Sequence, residues 1–276
     1  MKIKRIINNN IVTSLKNGHE VVVMGRGIGF NQKPGNLISK DTIEKIFELI
    51  KDDNAKQFKN LLADVPIEEM QSVEEIISFA RLSLGKPLSE TIYVALTDHI
   101  HFAIQRIKSG MEFNNALEWE VKHFYNHEYL IAKEGLNIIF QHTKVKLPTV
   151  EAAPIALHLV NAEMGNSMSH TVGMTKIIKQ IISIIQYTFH VQILDTSLAY
   201  ERLLTHLKFF IQRVLAHRTL SEEDPALFKV IKETHLKEYQ CSLKIGEYIK
   251  KEFNYDLTEA ELAYLTIHIN RVVNEN

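Results

Sequence analysis

Two stretches decide how this chain is organised: Leu96–Arg106, "LTDHIHFAIQR", and Leu203–Arg213, "LLTHLKFFIQR". Aligned without gaps at an offset of 107, they share six of eleven residues: Leu, His, Phe, Ile, Gln and Arg. A second pair follows in the same order at an offset of 110. It matches Leu147–His158, "LPTVEAAPIALH", with Leu257–His268, "LTEAELAYLTIH", through Leu, Glu, Ala and His. Two matches at nearly one offset mark a duplicated unit of about 105 residues. Helical spacing puts Ile92, Leu96, His99 and Ala103 on one stripe, and Ala199, Leu203, His206 and Phe210 on its counterpart. The repeat predicts two duplicated all-α helical-bundle domains with a junction near Gly165-Asn166-Ser167.

The residues ahead of the duplication differ in kind. "IKRIINNNIVTSL" (3–15) is rich in β-branched residues, Asn17-Gly18 supplies a hairpin turn, and "EVVVM" (20–24) returns. Pro34-Gly35 marks another turn, and from about Ile38 a helical period takes over. A β-module of roughly 50 residues is marginal alone, and pairing with a second copy would help it bury a core. The first boundary falls between Asp52 and Pro66. The expected fold is multi-domain α+β, with a small antiparallel β-domain over 1–55 and helical domains over 65–168 and 169–276.

Charge is distributed unevenly. The net charge of the whole chain is −1, yet residues 1–33 hold six Lys and Arg against Glu20 alone. That head carries +5 and the remainder −6. A basic head on an acidic body suggests contact with a polyanion. One cysteine, Cys241, excludes an intramolecular disulfide framework and a multi-cysteine zinc site. The most apolar run, "IIKQIISIIQYTF" (177–189), is broken by Lys179, Gln180 and Gln186 and falls short of a membrane span of ~20 residues. The N-terminus lacks the pattern of a signal peptide, so a cytoplasmic protein without membrane insertion is expected.

Each repeat owns two equivalent histidines, His99 and His158, then His206 and His268. A single histidine on an apolar stripe reads most simply as a core residue with one nitrogen satisfied by a carbonyl. Repetition weighs against that, because a duplicated core drifts to Leu or Phe unless imidazole matters. No cysteine–carboxylate cluster accompanies them as metal ligands. His123 and His127 have the i, i+4 spacing of a metal pair but lack the Glu of HExxH, and a solvated face is the simpler reading. No nucleophile motif such as GxSxG appears, so no catalytic residue and no cofactor is assigned. Phosphoryl acceptance remains: neutral imidazole is nucleophilic, and the group adds up to two negative charges.

The stretch Val21–Phe30, "VVVMGRGIGF", looks like a phosphate-binding glycine loop after a strand. A dinucleotide fingerprint needs GxGxxG opening a helix. Here Phe30 stands in the last glycine's place and Pro34-Gly35 breaks the chain soon after. The structural alternative is a glycine-rich turn with Phe30 packed inward. The RNA reading explains more: glycines admit close backbone approach, Arg26 meets phosphate or a guanine edge, and Phe30 offers a stacking plane. Arg5 and the run Asn8–Asn10 add charge and hydrogen-bonding groups. Candidate RNA contacts are Asn10, Gly25, Arg26 and Phe30, followed by Arg5 and Asn8.

At these residues the chain resembles the BglG/SacY family of transcriptional antiterminators, and most of all its LicT-like β-glucoside type. The resemblance rests on "KRIINNN", "MGRGIGF", "TDHI", "IALHLVNA", "THLKFFIQR" and "LTIHINRVV", in order along the chain. It implies a co-antiterminator RNA-binding domain and two phosphotransferase-system (PTS) regulation domains, acting as a homodimer. Such a protein stabilises a hairpin in an mRNA leader and so prevents an overlapping terminator from forming. The resemblance implies that His99 and His158 receive phosphate from, or through, the EIIB component of a sugar-specific PTS transporter, which restrains activity. It also implies that the carrier HPr phosphorylates His206 and His268, which activates. Asp98 beside His99 fits the family pattern, and Pro154, four residues before His158, departs from it. The rival readings are a histidine-phosphorylated phosphotransferase enzyme, to which a turnover assay would speak, and a DNA-binding PTS-regulated factor. The strand-like start opposes the second, since such factors open with a helix-turn-helix.

Overall fold

A computed structural model describes residues 1–48, 61, 64–165, 168–195, 197–219 and 225–274. Most of the span expected to hold the first boundary, and Asn166-Ser167 of the expected junction, lie outside the described residues.

The head is a four-stranded antiparallel sheet in the order β1 (Ile3–Asn8), β2 (Ile11–Lys16), β3 (His19–Met24) and β4 (Lys45–Glu48). The β2–β3 hairpin turns at Asn17 (φ 52°) and Gly18 (φ 81°). Two positive φ angles match the right-handed twist of the flanking strands, which is why Asn-Gly sits there. The helical period expected from about Ile38 is a misreading. A 3₁₀ turn at Lys40–Thr42 leads into β4, where Phe47 pairs with Val22 and Lys45 with Met24. Ile43, Ile46 and Phe47 have spacings of three and four that also suit a helix, and pairing along β3 overrides that local preference.

Both faces of the sheet are covered, which explains the unbroken apolar run in β3. On one face Val12, Val21 and Val23 pack with Ile3 of β1 and with Ile28 and Ile38 from the segment that follows β3. On the other, Ile11, Val22 and Met24 pack with Val65, Ile67 and Met70, at the start of α1 (Ile67–Leu84). Each such side chain contributes about 1.5–3 kcal/mol relative to exposure. Residues at the start of α1 thus add to the core of the small β-module.

The first repeat continues with α2 (Thr91–Lys108), α3 (Glu118–Phe124), α4 (Asn126–Thr143) and, after a 3₁₀ turn at Thr149–Glu151, α5 (Ala152–Met164). Gly85 (φ 63°) ends α1 and Gly165 (φ 65°) ends α5, both in the left-handed conformation suited to a C-terminal cap. Pro154 is the third residue of α5, within the first turn. Its missing N–H belongs among those a helix start leaves without an intrahelical partner, so the helix tolerates it. The second repeat holds α6 (Met168–Phe189), α7 (Leu198–Leu215), α8 (Pro225–Thr234), α9 (Leu236–Phe253) and α10 (Glu259–Asn274). The Ser197 hydroxyl caps α7 by accepting from the Tyr200 N–H at 3.1 Å.

Two compact units result: residues 1–115 with 127–165, and residues 116–126 with 166–276. The segment 116–126 lies within the span expected for the first helical domain, yet it packs in the second unit. There Glu120 pairs with Lys179, and the buried Tyr125 hydroxyl lies 3.4 Å from Thr175 Oγ1. Tyr125 separates α3 from α4, so His123 and His127 do not share one helix face. His123 instead places Nδ1 2.6 Å from the Trp119 carbonyl and Nε2 3.0 Å from Asp195. Among the described residues no group of three or more His, Cys, Asp or Glu is placed to hold a metal ion. No described helix is long and apolar enough to cross a membrane.

Candidate nucleic-acid interface and histidine pairs

The glycine loop is built around Asn10. Its carbonyl accepts from the Gly25 N–H (3.0 Å), and its side-chain Oδ1 accepts from the Gly27 N–H (2.8 Å). The Asn10 N–H in turn donates to Asn8 Oδ1 at 2.8 Å. Short bonds from Ile28 to Gly25 and from Phe30 to Gly27 wind the loop into consecutive turns. Each glycine has a local reason. Gly27 has φ 69°, a conformation side chains rarely adopt. A Cβ at Gly25 would overlap the Thr42 carbonyl, and one at Gly29 would overlap the Asn8 carbonyl. The close approach expected of these glycines is therefore taken up, at Gly25 and Gly29, by this chain's own backbone.

The candidate contacts divide accordingly. Gly25 is buried, Asn8 and Asn10 are half-buried, and Arg5, Arg26 and Phe30 are exposed. Phe30 is 59% exposed rather than packed inward, although its loop carries the buried Ile28. A large aromatic ring left in solvent on the same loop as an exposed arginine is a platform that can stack on a base. Arg26 is held from its backbone side, where its N–H donates to Glu44 Oε1 (3.2 Å). Its guanidinium lies 3.8 Å from Glu68 in an exposed pair, which is a weak restraint.

In the first repeat, α2 presents His99 and α5 presents His158, with ring centroids 5.1 Å apart. The fully buried Glu151 joins this pair to a cation. It forms an ion pair with Arg106 and places its other oxygen 3.4 Å from His99 Nε2. Burial pushes the Glu151 carboxyl up, but His99 and Arg106 outweigh it and hold the group below the usual carboxylate range. His158 Nδ1 is buried without a hydrogen-bond partner. Burial, then the His99 charge, lowers the His158 pKa to about 3, so its ring is neutral at neutral pH.

In the second repeat, α7 presents His206 and α10 presents His268, with rings stacked at 3.8 Å. His206 Nδ1 contacts the Tyr264 hydroxyl, and the Arg213 guanidinium lies 5.7 Å from the Tyr264 ring. Arg213 Nε and Nη2 are buried without an acceptor among the described residues. Glu261, the counterpart of Glu151, is engaged elsewhere. It accepts from the Tyr255 hydroxyl (2.9 Å) and the Thr258 N–H (3.0 Å), while its own N–H donates to Thr258 Oγ1 (3.2 Å). The Thr258–Glu261 exchange is a capping box at the start of α10. Burial lowers the His206 pKa, aided by the Arg271 and Arg213 charges. Burial, His206 and Arg271 bring that of His268 to about 4.

The structure thus brings together both histidine pairs expected from the repeat. It adds Glu151, Arg106, Tyr264 and Arg213, none of which was singled out from the sequence. The repeat hinted at three of them, through Arg106 and Arg213 in one matched stretch and the shared Glu151 and Glu261 in the other.

Comparison with known proteins accounts for the chain end to end. The CAT RNA binding domain family matches residues 1–56, and the PRD domain family matches residues 74–162 and 179–272. The chain is 46% identical to the transcription antiterminator LicT of Bacillus subtilis (strain 168) over 276 residues, covering all of both chains. It is 40% identical to the beta-glucoside operon antiterminator of Dickeya chrysanthemi, over all of this chain and 98% of that protein. Among solved structures, the crystal structure of GlcT CAT-PRDI aligns with a TM-score of 0.51 and 35% identity, covering 59% of this chain and 97% of that one. With a CAT RNA-binding head and two PRD domains, the chain belongs to the family of LicT-type RNA-binding transcription antiterminators.

Proposed function

We propose that this antiterminator binds a hairpin in the mRNA leader of a β-glucoside utilisation operon and so keeps a terminator from forming. The observation that carries the reading is the loop Gly25–Phe30 on a basic head, where Arg26 and Phe30 are both exposed on one loop whose backbone Asn10 fixes. Arg26 meets phosphate or a guanine edge, Phe30 stacks, Arg5, Asn8 and Asn10 complete the contact, and the buried Gly25 lets the loop pack against the head. The RNA-binding domain spans 1–55, and the PTS regulation domains span 65–168 and 169–276. The protein works as a cytoplasmic homodimer and performs no turnover chemistry. Its inputs are phosphoryl groups accepted by His99 and His158 from, or through, the EIIB component, and by His206 and His268 from HPr. Each added charge, up to two negative at a half-buried seam, shifts packing and thereby the RNA-binding heads.

The test is binding of the full chain to leader hairpins of sugar-transport operons, read by filter retention across a salt series. Arg26→Ala is expected to lower affinity tenfold or more and to flatten the salt dependence, with the circular dichroism spectrum unchanged. An unaltered affinity would remove Arg26, and with it the proposed face, from the interface.

A further inference from the structure

We infer that Tyr264 and Arg213 form a phosphoryl-receiving cradle around His206, Tyr264 holding Nδ1 so that Nε2 takes the group and Arg213 binding its oxygens. This rests on the reading of His206 as a phosphoryl acceptor and adds the residues that position it.

The cradle follows from two packed helices. On α7, His206 and Arg213 are two turns apart on one face; on α10, Tyr264, His268 and Arg271 share a face at i, i+4 and i+7. The Tyr264 hydroxyl occupies His206 Nδ1, with the two rings edge to face at 5.2 Å. With the Nδ1 proton donated to the Tyr264 oxygen, Nε2 keeps the lone pair, and a histidine's second partner is what decides which nitrogen reacts. His268 stacks on the same ring and fixes its plane. Arg213 supplies what an arriving anion needs, buried N–H groups at Nε and Nη2 that have no acceptor among the described residues. A guanidinium in that state costs stability, and a phosphoryl group matches it through charge-assisted bonds. Arg271 adds a second positive charge, felt by both His206 and His268.

The transfer balances without an added acid or base. The donor is a phosphohistidine in its imidazolium form. The His206 Nε2 lone pair forms a bond to phosphorus as the donor's N–P bond breaks, and the donor leaves as neutral imidazole. His206 keeps the proton on Nδ1, hydrogen-bonded to the Tyr264 oxygen, and becomes the phosphoimidazolium. The Arg213 and Arg271 charges offset that of the new dianion.

The experiment uses the full chain and phosphoramidate, a small histidine-phosphorylating reagent that needs no docking surface. Sites are mapped by mass spectrometry, and the ring isomer is read by phosphorus NMR. In the unsubstituted protein His206 is expected to carry phosphate on Nε2. Tyr264→Phe is expected to give a mixture of Nε2 and Nδ1 isomers. Arg213→Gln is expected to shorten the half-life of the phosphohistidine about tenfold, and Arg213→Lys to restore part of it. A structural role alone would move neither the isomer ratio nor the rescue by lysine. Labelling of His206 with isomer and half-life unchanged in Tyr264→Phe and Arg213→Gln would overturn the cradle and leave the acceptor reading standing. No label on His206 in the unsubstituted protein, with phosphoramidate or phosphorylated HPr, would overturn both.

Discussion

The first and second histidine pairs occupy corresponding places in two copies of one helical unit, yet the charges facing them are opposed. His99 lies 3.4 Å from the buried carboxylate of Glu151, which also neutralises Arg106. His206 faces a tyrosine hydroxyl and an arginine two of whose donors have no acceptor among the described residues. Two proline positions account for much of the contrast. Thr258, whose N–H and hydroxyl hold Glu261 at the start of α10, corresponds to Pro148 in the first repeat. Proline has neither group, so Glu151 is left to turn toward Arg106 and His99. Tyr264 corresponds to Pro154, so the first repeat has no hydroxyl at the place that engages His206. A duplicated backbone can thus hold one site that favours an incoming anion and one that a resident anion guards.

The largest expected effect is on stability. Glu151→Ala leaves the Arg106 guanidinium without its buried counter-charge and is expected to cost about 3–5 kcal/mol. Glu261→Ala loses a cap and the bond from Tyr255, about 1–2 kcal/mol. Urea unfolding of the two single variants measures both, and equal losses would break the comparison.

A smaller effect is shared by the two repeats. His158 and His268 have folded values of about 3 and about 4, both below the ordinary 6.5. Below pH 6.5 the unfolded chain therefore binds protons that the folded chain refuses. Stability is full above that pH and falls as pH drops toward 4, by up to about 1.4 kcal/mol per pH unit for each group. His158→Gln and His268→Gln should each flatten the acid limb of thermal-melting curves taken between pH 4 and 7. An unchanged slope in both would show that these rings are not held neutral by burial.

Much of this was legible in the residues themselves. Asn17-Gly18 announced the hairpin because only a few residues accept two positive φ angles in succession. The histidine pairs stood out because duplication kept imidazole where a core would drift. β4 was not legible, since Ile43, Ile46 and Phe47 fit a helical stripe as well as a strand, and only pairing with β3 decides between them. The surroundings of the histidines were hidden for a related reason. Tyr264 and Arg213 come from helices distant in sequence, and nothing local says that α7 and α10 face one another. The exchange of Pro148 for Thr258 was visible, but its meaning depends on where the two glutamates point.

One measurement tests the contrast most directly: the rates at which phosphoramidate labels His99 and His206 in the same sample of full chain, resolved by site. The account predicts that His206 labels first, by about tenfold, and that Glu151→Gln narrows the gap by speeding His99 alone. Equal rates, or faster labelling of His99 with no response to Glu151→Gln, would contradict it.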